Sequence, residues 1–171
     1  MTFNLVEPET LLLDLYRGLA DGRVLLMGAE GEKANPMTVA WGHLGLVWGL
    51  PSFVAWVRPS RHTYGFIERA GHFSVNVLPP EAQRIAAFCG SQSGRDVDKI
   101  KELDLHLETP EGAAQPLLAE AVCGLVCQVV HFSDVIPENL DAACQKSFYS
   151  GGDYHRQFVG RILGAWHKTP L

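Results

Sequence analysis

The sequence predicts a mainly β domain with helical insertions, either an antiparallel barrel or an α+β fold. Three observations lead there. Short apolar runs bounded by Gly, Pro or Asn recur along the whole chain, the pattern of strands joined by tight turns. Helical periodicity is confined to short stretches between those runs. The regular strand–helix alternation of a doubly wound parallel sheet is absent.

Taken in chain order, Leu5 to Leu19 reads as helical in part, with Leu12, Leu15 and Leu19 on one stripe. Gly22 to Ala29 contains the compact run Arg-Val-Leu-Leu-Met and reads as a strand; Glu30 to Asn35 supplies the turn chemistry after it. Thr38 to Trp41, Leu46 to Trp48 and Phe53 to Val57 follow as strands, each bounded by Gly or Pro. Arg61 to Ala70 sets Tyr64, Phe66 and Ile67 on neighbouring helix faces. His72 to Leu78 alternates large apolar with smaller or polar residues, as a half-buried strand does. Pro80 to Cys89 opens with Pro-Glu, suited to a first helical turn, and offers Ile85, Ala86 and Phe88 for burial. Val97, Ile100 and Leu103 stand at helical spacing. Ala121 to Phe132 and Gln157 to His167 are the last two long strands.

The 171 residues suit one domain over 1–171, and 47% hydrophobic content fills a core without metal or disulfide staples. A net charge of −5 with scattered Lys and Arg argues against a basic nucleic-acid face and against a polybasic membrane anchor. Met1 to Glu9 carries two acids and no base, unlike a secretory leader. The longest apolar run, Val122 to Val130, is broken by Gly124 and Gln128 and is too short to span a bilayer. The expectation is a soluble, cytoplasmic protein. Cys89, Cys123, Cys127 and Cys144 show no zinc-site spacing. Cys123 and Cys127 share one strand face but lie too far apart to bond, so all four read as buried free thiols of a reducing compartment.

Four segments offer chemistry. Arg58-Pro-Ser-Arg-His-Thr63 places a strand end before a helix start. Free N–H groups there, with Ser60, Thr63 and the arginines, form an anion site; the alternative is a capping Ser60 beside solvated arginines. Gly90 to Lys99 is a second hydroxyl-rich loop before a helix, able to nest a phosphate, or else a surface connector capped by Ser93. Asn35 to Gly42 has slim residues at Thr38 and Ala40 that let a flat ligand lie on the backbone; its alternative is a turn entering a strand whose Trp41 is core. Gly151 to Arg156 puts Tyr154 and His155 together as a polar pair, beside a cofactor or at the surface. The Gly-rich dinucleotide fingerprint, the phosphate loop and the Gly-x-Ser-x-Gly elbow are all absent, so a nucleotide-like ligand must be held some other way.

In order and spacing, Asn35-Pro-Met-Thr-Val-Ala-Trp-Gly42, Arg58-Pro-Ser-Arg-His-Thr-Tyr64, Phe73-Ser-Val-Asn-Val-Leu78, Cys89-Gly-Ser-Gln-Ser-Gly-Arg-Asp-Val-Asp-Lys99 and Asp153-Tyr-His-Arg156 resemble the flavin reductase-like family. The resemblance spans most of the chain. It implies a Greek-key split β-barrel that forms a homodimer and binds FMN near the subunit interface. Carried over residue by residue, it lays Asn35, Met37, Thr38, Val39, Ala40 and Trp41 along the isoalloxazine ring. Arg58, Ser60, Arg61 and Thr63 take the phosphate and ribityl chain, and Ser91, Ser93, Gly94, Arg95 and Lys99 close over the flavin. Tyr154 and His155 match a terminal pair near the flavin or the dimer contact and are the catalytic candidates. The family often has Gly-Gly after the motif Trp, whereas His43 follows Gly42 here. Trp48 and Trp56 are core or pocket wall, with core assigned to Trp56 because it shares a strand face with Val54.

The implied activity is an NAD(P)H-dependent flavin reductase that passes hydride or electrons through FMN to a small acceptor. NADH or NADPH would dock transiently, since no dedicated nucleotide domain is present. Two alternatives belong to other classes: an FMN electron carrier reduced by a protein partner, and a barrel acting as a binding module without flavin.

Overall fold

The computed structural model describes residues 2–169. The chain forms β1 (Thr2–Val6), a 3-10 turn (Pro8–Leu11), α1 (Leu12–Ala20), β2 (Val24–Glu30), β3 (Lys33–Val39), β4 (Gly42–Val47), β5 (Leu50–Val57), α2 (His62–Ala70), β6 (His72–Val77), α3 (Gln83–Ser91), α4 (Lys99–Glu102), β7 (Leu107–Glu108), β8 (Leu117–Leu118), β9 (Cys123–Asp134), α5 (Ala142–Phe148) and β10 (Arg156–Thr169). Eight strands make one antiparallel sheet in the order β3-β2-β6-β9-β10-β5-β4, with β1 added alongside β10. The sheet curls into a split β-barrel, and β7 pairs with β8 as a separate ribbon.

The near-continuous apolar run of β2 has a simple cause: both of its faces are covered. Val24 and Leu26 point into the barrel, where they join Phe53, Phe73, Val75, Leu125 and Phe158. Leu25 and Met27 point outward into a second core under α3, with Ala86, Cys89, Val126 and Trp166. Gly28 lets α2 lie directly on β2, since a Cβ there would stand 2.5 Å from the Cβ of Phe66. Asn76, buried in β6, bonds to its surroundings: Nδ2 donates to Ser74 Oγ at 3.2 Å and Oδ1 accepts from the Leu118 N–H at 2.8 Å.

Several expectations change. The segment expected as partial helix from Leu5 begins instead as an edge strand, because Thr2 to Val6 pair with the end of β10. In α1 Leu15 and Gly18 are buried and Leu19 packs partly buried against the core, Leu11 of the preceding 3-10 turn is buried beside them, and Leu12 faces solvent. The third strand starts at Lys33, earlier than the apolar signal, and stops before Trp41. It tolerates Pro36, which has no N–H to give, because it lies at an end of the sheet order. Ser60 does not cap α2; Arg61 holds the N-cap position without a side-chain bond. Ser93 is likewise not the cap of α4, whose N-cap Asp98 accepts from the Lys101 N–H.

Cys89, Cys123 and Cys127 are buried free thiols, the last two both in the barrel core, while Cys144 is exposed on α5. Trp48 stands at the tip of the β4–β5 hairpin with φ +51°, followed by Gly49 at φ +74°; both central residues of the two-residue turn are left-handed. Trp48 is 68% exposed, and Leu46 beside it 75%. Among the described residues no helix is long and apolar enough to cross a membrane.

Candidate functional site

Strand β3, the turn before α2 and the loop after α3 converge on two abutting cavities of about 240 Å3 each. The first is enclosed by Asn35 from β3, by Ser60 to Thr63, by Ser91 to Arg95 and by Lys99. Val39, Ala40, Trp41, Trp56, Arg58 and His155 form the second. Met37, Thr38 and Arg61 line both. All the cofactor-site residues expected from the sequence therefore border one continuous recess, and His155 joins them. The combined space falls in the range of small-molecule sites, roughly 300–1,000 Å3.

The recess is built by polar ties between its three walls. Asn35 Nδ2 donates to Thr63 Oγ1 at 2.6 Å, fixing β3 to α2, and both residues are buried. Thr38 Oγ1 donates to the Ala86 carbonyl and fixes β3 to α3. Gly94 presses against the first tie: a Cβ there would lie 1.8 Å from Asn35 Oδ1 and 2.8 Å from His62 Cδ2. Arg95 Nη1 donates to the Ser60 carbonyl at 2.7 Å, joining the loop to the α2 turn. Ser93 Oγ accepts from the Arg95 N–H at 3.2 Å, and Ser91 Oγ donates to the Phe88 carbonyl at 3.3 Å.

Positive charge predominates. Lys99 is only 4% exposed, and its ammonium donates to the carbonyls of Pro36 (3.0 Å) and Cys89 (2.8 Å), not to a carboxylate. Burial lowers its pKa, and Arg61 acts in the same direction. The side chain of Arg61 makes no hydrogen bond or ion pair among the described residues. His62 is held below the usual histidine range by burial, then by Arg95, Arg69 and Lys99. The first cavity is thus lined by cations without a neutralising carboxylate of its own, which suits an anion. A larger and more open cleft of about 580 Å3 adjoins it across Gly94 and Arg95. That cleft mixes Lys33, Arg95, Lys99 and Lys101 with Glu32, Asp96 and Asp98, so its cations, unlike those of the first cavity, have carboxylates beside them.

Arg58 departs from its expected use. Its guanidinium donates to the carbonyls of Phe148 (2.8 Å) and Asp153 (2.8 Å), so it staples the loop between α5 and β10. Ser60 departs too, since its hydroxyl donates to the Asp153 carboxylate at 2.5 Å. Trp56 is a correction: Phe53, Ala55 and Val57 are the core face of β5, so Trp56 faces the other way and walls the second cavity. Trp41 is likewise only half-buried; it meets His155 at 4.7 Å between ring centroids and Phe148 at 5.1 Å. Tyr154 and His155 diverge. His155 lines the cavity, whereas Tyr154 stacks on Tyr149 at 4.9 Å and accepts a hydrogen bond from Gln145. His43 is exposed and Trp48 contacts His131, so neither borders the recess.

Tyr149, His62 and Asp153 went unread as site residues. Alternation along β5 could have turned Trp56 outward, because Phe53, Ala55 and Val57 form the consistent apolar set. No local pattern points to Tyr149, which reaches His155 only through the fold of a Gly-Gly turn.

A family model described as "Flavin reductase like domain" matches residues 17–171. An uncharacterized protein of Aeropyrum pernix is 26% identical over 132 residues, covering 70% of this chain and 50% of its own length, so the chain spans half of the relative it matches. Among solved structures, a flavoredoxin from Methanosarcina acetivorans is 25% identical with a TM-score of 0.67, over 85% of this chain and 67% of that one. An FMN-binding domain of a flavin reductases-like enzyme from Shewanella baltica shares the fold at a TM-score of 0.67 and 23% identity, over 97% of this chain and 77% of that one.

Proposed function

The chain belongs to the flavin reductase-like domain family, and on that premise we propose that it binds FMN in the two-chambered recess and serves as an NAD(P)H-dependent flavin reductase. The observation that carries this reading is the continuity of a carboxylate-poor, cation-lined chamber with an aromatic-walled chamber along one slim strand. A flavin phosphate fits the first, where the Arg61 side chain is unengaged and the side chains of Lys99 and Arg95 bond only to carbonyls. A flat ring fits the second, between the backbone of Thr38 to Trp41 and the side chains of Trp56 and His155.

FMN, when bound, supplies the hydride and one-electron chemistry, so the chain needs no nucleophile. Its own residues have four tasks. Arg61, Arg95 and Lys99 hold the phosphate, and β3 orients the ring by its backbone. Trp41 and Trp56 exclude water from one side. His155, whose pKa burial and Arg58 push down to about 4, stays uncharged at neutral pH and adds no positive charge beside the ring.

A homodimer is part of the proposal. Leu46, Trp48, Val130, Phe132 and Leu163 are large apolar side chains left exposed on β4, β9, β10 and the hairpin tip, and a second copy of the chain would cover them. Free thiols fit a reducing cytoplasm.

The test is the visible spectrum of the purified protein with FMN, followed by anaerobic NADH and then NADPH. Bound flavin that bleaches with either nucleotide supports the reductase. Flavin that binds and bleaches only with a reductase partner moves the function to the electron carrier. No binding of FMN refutes both.

A further inference from the structure

Helix α5 ends at Phe148, and the chain then turns through Gly152 (φ +76°) and Asp153 (φ +54°) before entering β10. The turn brings the hydroxyl of Tyr149 to 2.8 Å from Nδ1 of His155. Tyr149 is 5% exposed. Arg58 fixes the arrangement from outside: it bonds the carbonyls at both ends of the turn, and its guanidinium carbon lies 5.2 Å from the Tyr149 ring centroid. Tyr154 stacks on the same ring. Besides the Asp153 carboxylate that reaches Ser60, what these contacts hold in place is one imidazole, set 4.7 Å from Trp41 in the wall of the ring chamber.

The direction of the Tyr149–His155 bond follows from counting hydrogens. A phenol has one hydrogen to donate, and burial raises the Tyr149 pKa, so that hydrogen is present. Among the described residues the acceptor that it reaches is Nδ1 of His155. Were Nδ1 protonated, the hydroxyl hydrogen would be left buried without an acceptor, and an unmade buried bond costs more than an ordinary one contributes. Nδ1 therefore accepts, and the ring proton resides on Nε2. Nε2 has no partner among the described residues. The charged groups acting on the ring are Arg58 and Arg61, which disfavour a second proton, and Asp153, which favours one.

We propose that Tyr149 is a positioning residue that locks His155 in its Nε2–H tautomer, so that the ring chamber offers one N–H donor to a carbonyl or carboxamide oxygen of the molecule docking against Trp41. The tautomer stands on the structure alone; that the docking molecule is a hydride donor or acceptor rests on the flavoprotein reading. The donor selects for ligands with an oxygen acceptor conjugated to the reacting ring, and it does so without adding charge.

The imidazole 15N spectrum of the flavin-free protein at pH 7 tests this, with the His155 signals assigned by their loss in His155→Gln. The expected result is a protonated Nε2 and an unprotonated Nδ1 in the wild type, and a mixture of both tautomers in Tyr149→Phe, which keeps the ring packing. A protonated Nδ1 in the wild type overturns the proposal, whether or not the variant folds. An unchanged His155 spectrum in a folded Tyr149→Phe overturns it as well. In FMN-loaded protein the same variant should need about twofold more NADH for half-maximal bleaching, since a tautomer mixture leaves about half of the molecules with the donor. Failure to bind flavin refutes the flavoprotein reading and leaves the tautomer result to decide this one.

Discussion

Ser60 and Asp153 stand 93 positions apart in the chain, yet the Ser60 hydroxyl donates to Oδ2 of Asp153 at 2.5 Å and its N–H reaches Oδ1 at 3.3 Å. The turn that resembles a phosphate site therefore already holds an anion, one supplied by the loop before β10. Its free positive charge falls to the next residue, Arg61, whose side chain has no hydrogen-bond or ion-pair partner among the described residues.

Arg61→Ala should weaken FMN about tenfold or more, the worth of one hydrogen bond to a charged group. Riboflavin, which lacks the phosphate, should bind as before. Isothermal titration with both ligands checks the assignment, and an equal loss for both would remove Arg61 from the phosphate site. The melting temperature should hardly move, because the side chain is exposed and bonded to nothing described.

Asp153→Asn should have the opposite effect. Removing a carboxylate beside the Ser60 turn relieves repulsion of the phosphate, and FMN should tighten by about threefold, as for an exposed charge pair. Weaker binding would show instead that the carboxylate organises the turn.

Gly94→Ala forces Asn35 off its bond with Thr63, since the new Cβ would lie 1.8 Å from Asn35 Oδ1. A cost of about 1–3 kcal/mol is expected, as for other overpacked sites. At roughly 2–4 °C per kcal/mol for a chain of this size, scanning calorimetry should show a clear fall. Gly45→Ala is the control: nothing lies within 4 Å of its Cβ position.

The pKa of His155, pushed down to about 4 by burial and Arg58, sets a pH signature. The unfolded chain, with a histidine near 6.5, binds the proton first as pH falls, so folding stability from this group is complete above pH 6.5. It declines as pH drops from 6.5 to about 4 and is gone below that. Urea unfolding of wild type and His155→Gln at pH 7, 5.5 and 4.5 should show a shallower decline in the variant. Parallel curves would contradict a buried, neutral His155.

Thiol chemistry should be limited to one site. Burial pushes Cys89 up to about 11 and Cys123 up to about 12, and raises Cys127 further, while Cys144 is exposed. A disulfide reagent should titrate one thiol rapidly in the native protein and all four after denaturation; Cys144→Ser should abolish the fast phase.

Local sequence determined most of the scaffold. Alternation and turn residues marked β2, β5, β6, β9 and β10 because a strand's faces repeat every second residue, and that period is visible without knowing the partner strand. The recess was legible through its ordered motifs: the residues from Asn35 to Trp41, Arg58 to Thr63 and Ser91 to Lys99 that resemble the flavin reductase-like pattern do border one cavity system. The edge strand at Thr2 was not legible, because its strand character comes from pairing with the far end of the chain.

Tertiary structure alone decided which polar groups are spent and which are free. Arg58 and Arg61 look alike in sequence, three positions apart. One is consumed by backbone carbonyls near residues 148 and 153, and the other is left open to the recess. Tyr149 carries no signature of its own, and His155 is marked only as half of a terminal pair with Tyr154, yet the turn between Tyr149 and His155 fixes a tautomer. Hydrogen-bond satisfaction depends on partners that are distant in the chain, and residue type states only what a side chain can donate or accept, not what reaches it.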